Sequence, residues 1–420
     1  MSNILEAKFV AFDIIKAVER RRAFAHILLR SRLSSLPLEV HSSTTELVYG
    51  TLRRQNTLDW YVSHYVDIDR LPLELKIILR IATYQLLYHR IPKPLVVNEA
   101  VEMAKILSSR KSGGLVNAVL RKIAVTNSQP DTLSVIYSHP EWLIEKWSRE
   151  LGKEETILLC RRNNQPMPTS FRVNQLKTTL EKIEDTLNNK GIRLERGRLS
   201  RNCLVLKEGD INPVISLEEE GKVYIQSESS MVVVETIDCK PGMKVIDGCA
   251  GYGGKTTYIA ELMKNKGTII AVDRLASKLS ILENEALKRG ITIINCIESP
   301  IERLSLDVIG EADRVLLDVP CSGLGTLSRK PEIKWRINPS SIEKLVLIQR
   351  NILKSGKNFV KPGGILVYSA CTISKDETYD IIKSFLEENK EFILREERQI
   401  LPHIDNTEGF YMAKLERKDA

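Results

Sequence analysis

The sequence predicts an α/β domain with a mostly parallel sheet, preceded by an all-helical domain and a small α+β module. Three observations carry this. From Ala7 to about Ala124, apolar residues recur three and four apart, as in LPLELKIILRIATYQLLY and PLVVNEAVEMAKIL, which is the spacing of one buried helix face. The stretch VTNSQPDTLSVIYSHP, with Pro130 and Pro140, then breaks that pattern with turn formers. From Lys244 onward strands and helices alternate strictly, as they do when a parallel sheet is covered by helices on both faces. The expected domains are 1–130, 136–235 and 236–420.

The elements follow in order. After the helical third comes the module, with one helix over EWLIEKWSREL, a polar helix over LKTTLEKIEDTLNNKG and short strands at SFRVN, CLVLK and KVYIQ. In the last domain the strands KVID, TIIAVD, ITIINCI, RVLLDV and GILVYSA alternate with helices beginning near KTTYIAELM, ASKLSILENEALKRG, SSIEKLVLIQRNILKSGKNF and KDETYDIIKSFLEEN. The tail segments FILREER and GFYMAKLER fit a terminal antiparallel pair.

Composition narrows the function classes. With 420 residues, 43% hydrophobic and 28% charged, the chain has the balance of a globular protein of two or three domains. No run approaches the roughly 18 apolar residues of a membrane span, and the start lacks signal-peptide order, so no membrane partner is expected and a cytoplasmic location is. The seven cysteines (160, 203, 239, 249, 296, 321 and 371) are scattered and form no CxxC pair, which argues against a disulfide framework and against a metal site. Residues 1–126 hold 19 Lys and Arg against 11 Asp and Glu, so the entire formal excess of +8 lies there. Such a confined excess is the footprint of a polyanion binder; a solvated helical surface is the alternative.

Chemistry begins at DGCAGYGGKTT, Asp247 to Thr257, where the first strand of the α/β domain turns into a helix. A glycine-rich turn there admits a nucleotide-like ligand to the backbone; a structural tight turn is the alternative. Cys249 occupies a glycine position of a phosphate-binding GxxxxGK[ST] loop, and Thr256 occupies the last glycine of GxGxxG, so both phosphate readings fail. Asp273 closes the second strand, where a carboxylate can accept hydrogen bonds from ribose hydroxyls. Adenosine bearing a cationic, phosphate-free group suits this arrangement, and S-adenosyl-L-methionine is such a molecule.

Cys321 follows RVLLDVP and Cys371 follows GILVYSA, so both thiols sit at the carboxyl edge of the sheet and are expected to face one pocket. Taken singly, each is better explained by buried packing than by chemistry, and it is two thiols at matching strand ends beside a nucleotide loop that shift the balance. A thiolate adds well to carbon 6 of cytosine, which activates carbon 5 toward a methyl donor. Asp318 stands at the same edge to hydrogen-bond the polar side of the base.

Together, DGCAGYGGKT, AVD, LLDVPCSGLGTLSRKPEIKW and YSACTISKDET resemble the successive motifs of RNA cytosine-5 methyltransferases. QNTLDWYV, LRIATYQLLYHRIP and GGLVNAVLRKI resemble the NusB-like helical domain that precedes them in bacterial 16S rRNA methyltransferases of the Sun/Fmu (RsmB) type. The similarity runs over nearly the whole chain. It implies a Rossmann-like methyltransferase domain in which Cys371 is the nucleophile, Cys321 assists product release, and Asp318 and Lys255 serve the reaction. It further implies cofactor contacts from Asp247, Cys249, Ala250, Gly251, Tyr252, Gly253, Gly254, Lys255, Asp273, Glu298 and Asp318. The chain departs from the family pattern at Gly251, Tyr252, Glu298, Ala370 and Thr378. Arg329, Lys330 and Lys334 follow the Pro-Cys motif as candidate contacts to RNA phosphates, with a solvated surface as the alternative; Trp335 either stacks or packs.

The expected function is therefore methyl transfer to carbon 5 of a cytosine in 16S rRNA. The rivals are a non-catalytic RNA-binding or antitermination factor and a tRNA or DNA cytosine-5 methyltransferase. Because DNA cytosine-5 enzymes attack with the Pro-Cys thiol, the resemblance makes Cys371 the mark of an RNA enzyme.

Overall fold

In the computed structural model, which describes residues 3–33 and 36–419, the chain forms two compact units. The first comprises Met1–Pro166 together with Leu327–Arg336. Its helices bury a stripe each, and Phe12, Ile15, Leu47, Val62, Ile78 and Leu120 meet in one core. The unit extends past the expected boundary at 130. Asn56 and Thr57 hydrogen-bond to Ser134, Val135 and Ser138, and the helices Glu141–Leu151 and Lys153–Asn163 belong to this unit. The second of these was not anticipated.

The helix Arg110–Val125 is capped by the Ser109 hydroxyl, which accepts from the Ser112 N–H. It buries Val116, Val119, Leu120 and Ile123 and leaves Arg110, Lys111, Arg121 and Lys122 exposed, with no acidic residue along its length.

The second unit, Met167–Thr326 with Ile337–Ala420, holds two sheets. The smaller is antiparallel in the order β2-β3-β1-β4, from β1 (Thr169–Val173), β2 (Arg193–Arg196), β3 (Cys203–Glu208) and β4 (Val223–Ile225). Phe171, Val173 and Leu204 pack there against Ile183 and Leu187 of the helix Leu180–Asn188. The larger sheet contains β5 (Lys244–Asp247), β6 (Thr268–Asp273), β7 (Ile294–Glu298), β8 (Ala312–Asp318), β9 (Val360–Ala370), β10 (Phe392–Ile400) and β11 (Phe410–Arg417). Its order is β10-β11-β9-β8-β5-β6-β7. Five strands, β9 through β7, run parallel, and the tail adds the antiparallel pair at the β9 edge. This is the expected Rossmann-like arrangement.

A further helix absent from the sequence expectation has a clear cause. Glu228–Thr236 is a helix despite its VVV run, because nearly every residue in it is buried and packing overrides β-branched propensity.

Candidate active site

The parallel strands bring four carboxylates to one edge: Asp247 ends β5, Asp273 ends β6, Glu298 ends β7 and Asp318 ends β8. Between β5 and the helix Gly254–Leu262, Gly253 adopts φ 85°, and a Cβ there would lie 2.5 Å from Leu282 Cγ. Only glycine fits both conditions. The Asp273 carboxylate accepts from the Gly251 and Leu275 N–H groups, each at 3.0 Å, and so pins the loop to the end of β6.

A cleft of about 250 Å³ opens at this edge. Cys249, Gly251, Asp273 and Asp318 line it, together with Arg274, Lys278, Ser299 and Glu302. Glu298 does not. It is exposed at the end of β7, and the chain turns so that Ser299 and Pro300 form the wall. Of the other expected contacts, Asp247 and Ala250 are buried and Gly253 and Gly254 start the helix. Tyr252 projects outward, 54% exposed, with the Lys278 ammonium 5.9 Å from its ring centroid. A phosphate in the cleft would face three carboxylates, Asp273, Glu302 and Asp318, against two cations, Arg274 and Lys278, and Lys278 is already paired with Asp273 at 3.4 Å. The lining therefore suits a nucleoside with a cationic substituent.

Burial pushes the Asp247 carboxyl up to about 6, although the Thr256 hydroxyl donates to it at 2.7 Å. Cys249 is raised well above the ordinary thiol range by burial and by the negative charges of Asp247, Asp318, Asp273 and Glu302. It serves as a neutral wall.

The two remaining thiols meet each other, with Cys321 Sγ and Cys371 Sγ 3.2 Å apart. They adjoin the cleft through Asp318 and Pro320 and are not among its lining residues. Cys321 is held well above the usual thiol value, first by its contact with Cys371, then by burial, then by the negative charges of Cys371 and Glu377. Lys255 donates to Asp318 Oδ2 at 2.5 Å, and Ser369 donates to Asp318 Oδ1 at 2.9 Å. Burial opposes the Lys255 charge, but Asp318 and the Cys371 thiolate outweigh it and raise its pKa. Glu377 is one of the charges that raise Cys321, and the sulfur of Cys371 is one of the groups that raise Lys255.

Sequence reasoning missed two groups that position this edge. Glu377 is fully buried and accepts from residues adjoining both cysteines; its signal was an acidic residue six positions after Cys371, within KDET. Arg172, on β1, is fully buried between the rings of Tyr224 and Tyr258 and donates to Glu261 and Thr257. It fastens the small sheet to the helix that begins at the glycine loop. Nothing in SFRVN signals this.

The expected phosphate contact at Lys334 is overturned. Lys334 is 0% exposed, and its ammonium donates to Arg53 O and Ser138 O at 2.8 Å and to Asn164 Oδ1 at 3.3 Å within the helical unit. Its donors are used internally. Trp335 packs beside it, only partly exposed. Arg329 and Lys330 are half-buried.

Comparison with known proteins agrees across the chain. Residues 234–416 match the family described as 16S rRNA methyltransferase RsmB/F, residues 5–125 the NusB family, and residues 139–212 a ferredoxin-like domain of RsmF/B-like methyltransferases. The probable ribosomal RNA small subunit methyltransferase B of Bacillus subtilis (strain 168) is 33% identical, over 97% of this chain and 98% of its own. The corresponding protein of Synechocystis sp. (strain PCC 6803) is 32% identical, over 99% and 100%. Among solved structures, PH0851 superposes with a TM-score of 0.86 at 29% identity, covering 99% of this chain and 98% of that one. With a helical NusB-like part, a small ferredoxin-like sheet and a parallel catalytic sheet in one continuous match, this chain belongs to the ribosomal RNA small subunit methyltransferase B family.

Proposed function

We propose that the protein transfers a methyl group from S-adenosyl-L-methionine to carbon 5 of a cytosine in 16S rRNA, through a covalent bond between Cys371 and carbon 6 of the base. The observation that carries this is the pair of thiols 3.2 Å apart beside a cleft lined by three carboxylates, with Lys255 and Asp318 at the same strand ends. The cofactor, when bound, supplies an electrophilic methyl group. Asp273 is placed to receive ribose hydroxyls, and Asp318 lies between the cleft and the sulfurs.

The chain's own groups then divide the work. The Lys255 ammonium favours the thiolate form at Cys371, which adds to carbon 6 and leaves carbon 5 nucleophilic. Asp318, held by Lys255 and Ser369, retains lone pairs toward the polar edge of the base and stabilises charge as it develops. After methylation the carbon 6–sulfur bond breaks as carbon 5 loses its proton; Cys321, a thiol 3.2 Å from the departing Cys371 sulfur, gives its own proton to that sulfur and takes the carbon 5 proton in exchange, so both cysteines end as thiols. The target base must be unpaired or flipped out, since carbon 6 is inaccessible to a thiolate within a stacked helix. The exposed Arg110, Lys111, Arg121 and Lys122 provide a carboxylate-free basic face for RNA phosphates.

Cys321→Ala should accumulate a protein–RNA adduct that survives a denaturing gel, whereas Cys371→Ala should form none. The opposite pattern reverses the two roles. Bisulfite sequencing of RNA from cells lacking the gene should lose one methylated position in 16S rRNA; an unchanged 16S profile discards that substrate.

A further inference from the structure

We infer that Glu377 is a positioning residue for this reaction, a single buried carboxylate that ties the two cysteine-bearing loops together and sets the contact between their sulfurs. The inference rests on the functional reading above for its consequence in turnover, but its geometry stands apart from that reading. Glu377 Oε1 accepts from the Ser322 N–H at 2.8 Å and from Gln349 Nε2 at 3.0 Å. Glu377 Oε2 accepts from the Ser322 hydroxyl at 2.5 Å and from the Thr372 hydroxyl at 3.1 Å. Ser322 directly follows Cys321 and Thr372 directly follows Cys371. The same two hydroxyls lie 2.9 Å from each other, and Gln349 also donates to Pro320 O at 3.0 Å, on the other side of Cys321.

Each cysteine loop is thus gripped at the residue beside its sulfur, and both grips converge on one side chain. The backbone fixes Glu377 in turn, because the Tyr368 hydroxyl donates to its carbonyl at 2.8 Å from within β9. A carboxylate suits this place because all four donors point inward and no donor is required of it. Its charge has a second effect. Facing Cys321 together with Cys371, it opposes ionisation of that thiol, so the group that aligns the sulfurs also helps to keep Cys321 protonated.

Glu377→Gln retains the shape of the side chain, removes the charge and presents a donor to hydroxyls that must then turn round. In single-turnover methylation of 16S rRNA by the full chain, this variant should lose on the order of 10²-fold in rate, the scale expected when a reacting group is misplaced, with KM for RNA and cofactor little changed. Iodoacetamide labelling of Cys321 is followed against pH in Cys371→Ala and in Cys371→Ala/Glu377→Gln. The midpoint should fall by about one pH unit when the carboxylate is removed. Thr372→Val removes one donor and leaves the charge, so it should slow turnover while the Cys321 midpoint stays in place.

An undiminished rate in Glu377→Gln or Thr372→Val, or an unmoved midpoint in the double variant, overturns the inference. The labelling arm uses no RNA. If the wild-type chain methylates no 16S rRNA while the midpoint still shifts, the substrate reading fails and Glu377 keeps its place.

Discussion

Two buried ions of opposite sign, Glu377 in the catalytic unit and Lys334 in the helical unit, show how differently one fold employs a charge taken out of water. Neither forms an ion pair among the described residues. Glu377 is held by four donors, three of them on Ser322 and Thr372, the residues that follow Cys321 and Cys371. Lys334 is held by three oxygens, one of them the carbonyl of Arg53 at the end of the helix Leu38–Arg53, where the helix dipole favours a cation. The first charge holds two loops together at the sheet edge, and the second closes a helical core. A buried ion's role is therefore read from what its partners are attached to, not from its sign or its depth.

The sharpest way to break this comparison is to remove each charge and look for the effect in the other's place. All four tryptophans, Trp60, Trp142, Trp147 and Trp335, lie in the helical unit, so their fluorescence reports on that unit alone. Lys334→Met leaves three oxygens without a donor and should cost about 1–3 kcal/mol in the tryptophan-detected transition. Glu377→Gln should leave that transition in place while turnover collapses. Burial, aided by repulsion from Arg54 and Arg53, lowers the Lys334 pKa well below 10.5. The unfolded chain then binds more protons between that depressed value and 10.5, so wild-type stability should rise with pH across that window. Lys334→Met should flatten the slope.

Asp247 sharpens the contrast within the catalytic unit, since it is buried with only the Thr256 hydroxyl and a long contact from the Cys249 N–H. Its carboxyl is raised from 3.8 to about 6. The native state therefore binds the extra proton between these values, and stability should fall as pH rises through them. Asp247→Asn should stabilise the β5 amides by about 1–3 kcal/mol at pH 8 in hydrogen exchange. At pH 3, where the wild-type carboxyl is protonated in both states, the gain should vanish.

The smallest expected effect separates buried from exposed cations. Replacing Arg110, Lys111, Arg121 and Lys122 together with alanine should flatten the salt dependence of RNA affinity by roughly 0.7–0.9 in log–log slope for each phosphate that no longer meets a cation. Lys334→Met, measured below its melting temperature, should leave that slope unchanged. A change there would return Lys334 to the RNA surface.

Much of the architecture was present in local pattern. Helical spacing up to Ala124, the alternation after Lys244 and the antiparallel tail are periodic signals that survive folding because each element buries one face. The glycine loop, Asp273, Asp318 and the two cysteines were legible for a related reason, since a parallel sheet delivers the ends of its strands to one edge. Other features depended on partners distant in the chain. The helix at Glu228–Thr236 exists because its surroundings exclude water, and Arg172 finds Glu261 across 89 residues.

By itself, the order of residues determined the class of each segment, the confinement of positive charge to the first third and the identity of the groups that could do chemistry. Only the tertiary structure decided which of those groups meet. It brought the two sulfurs to 3.2 Å, tied both of their loops to Glu377, withdrew Lys334 from the surface and moved the cleft wall from Glu298 to Ser299. The physical reason is range. Periodicity is written in neighbouring residues, whereas burial and electrostatic environment are set by atoms that become neighbours only when the chain folds.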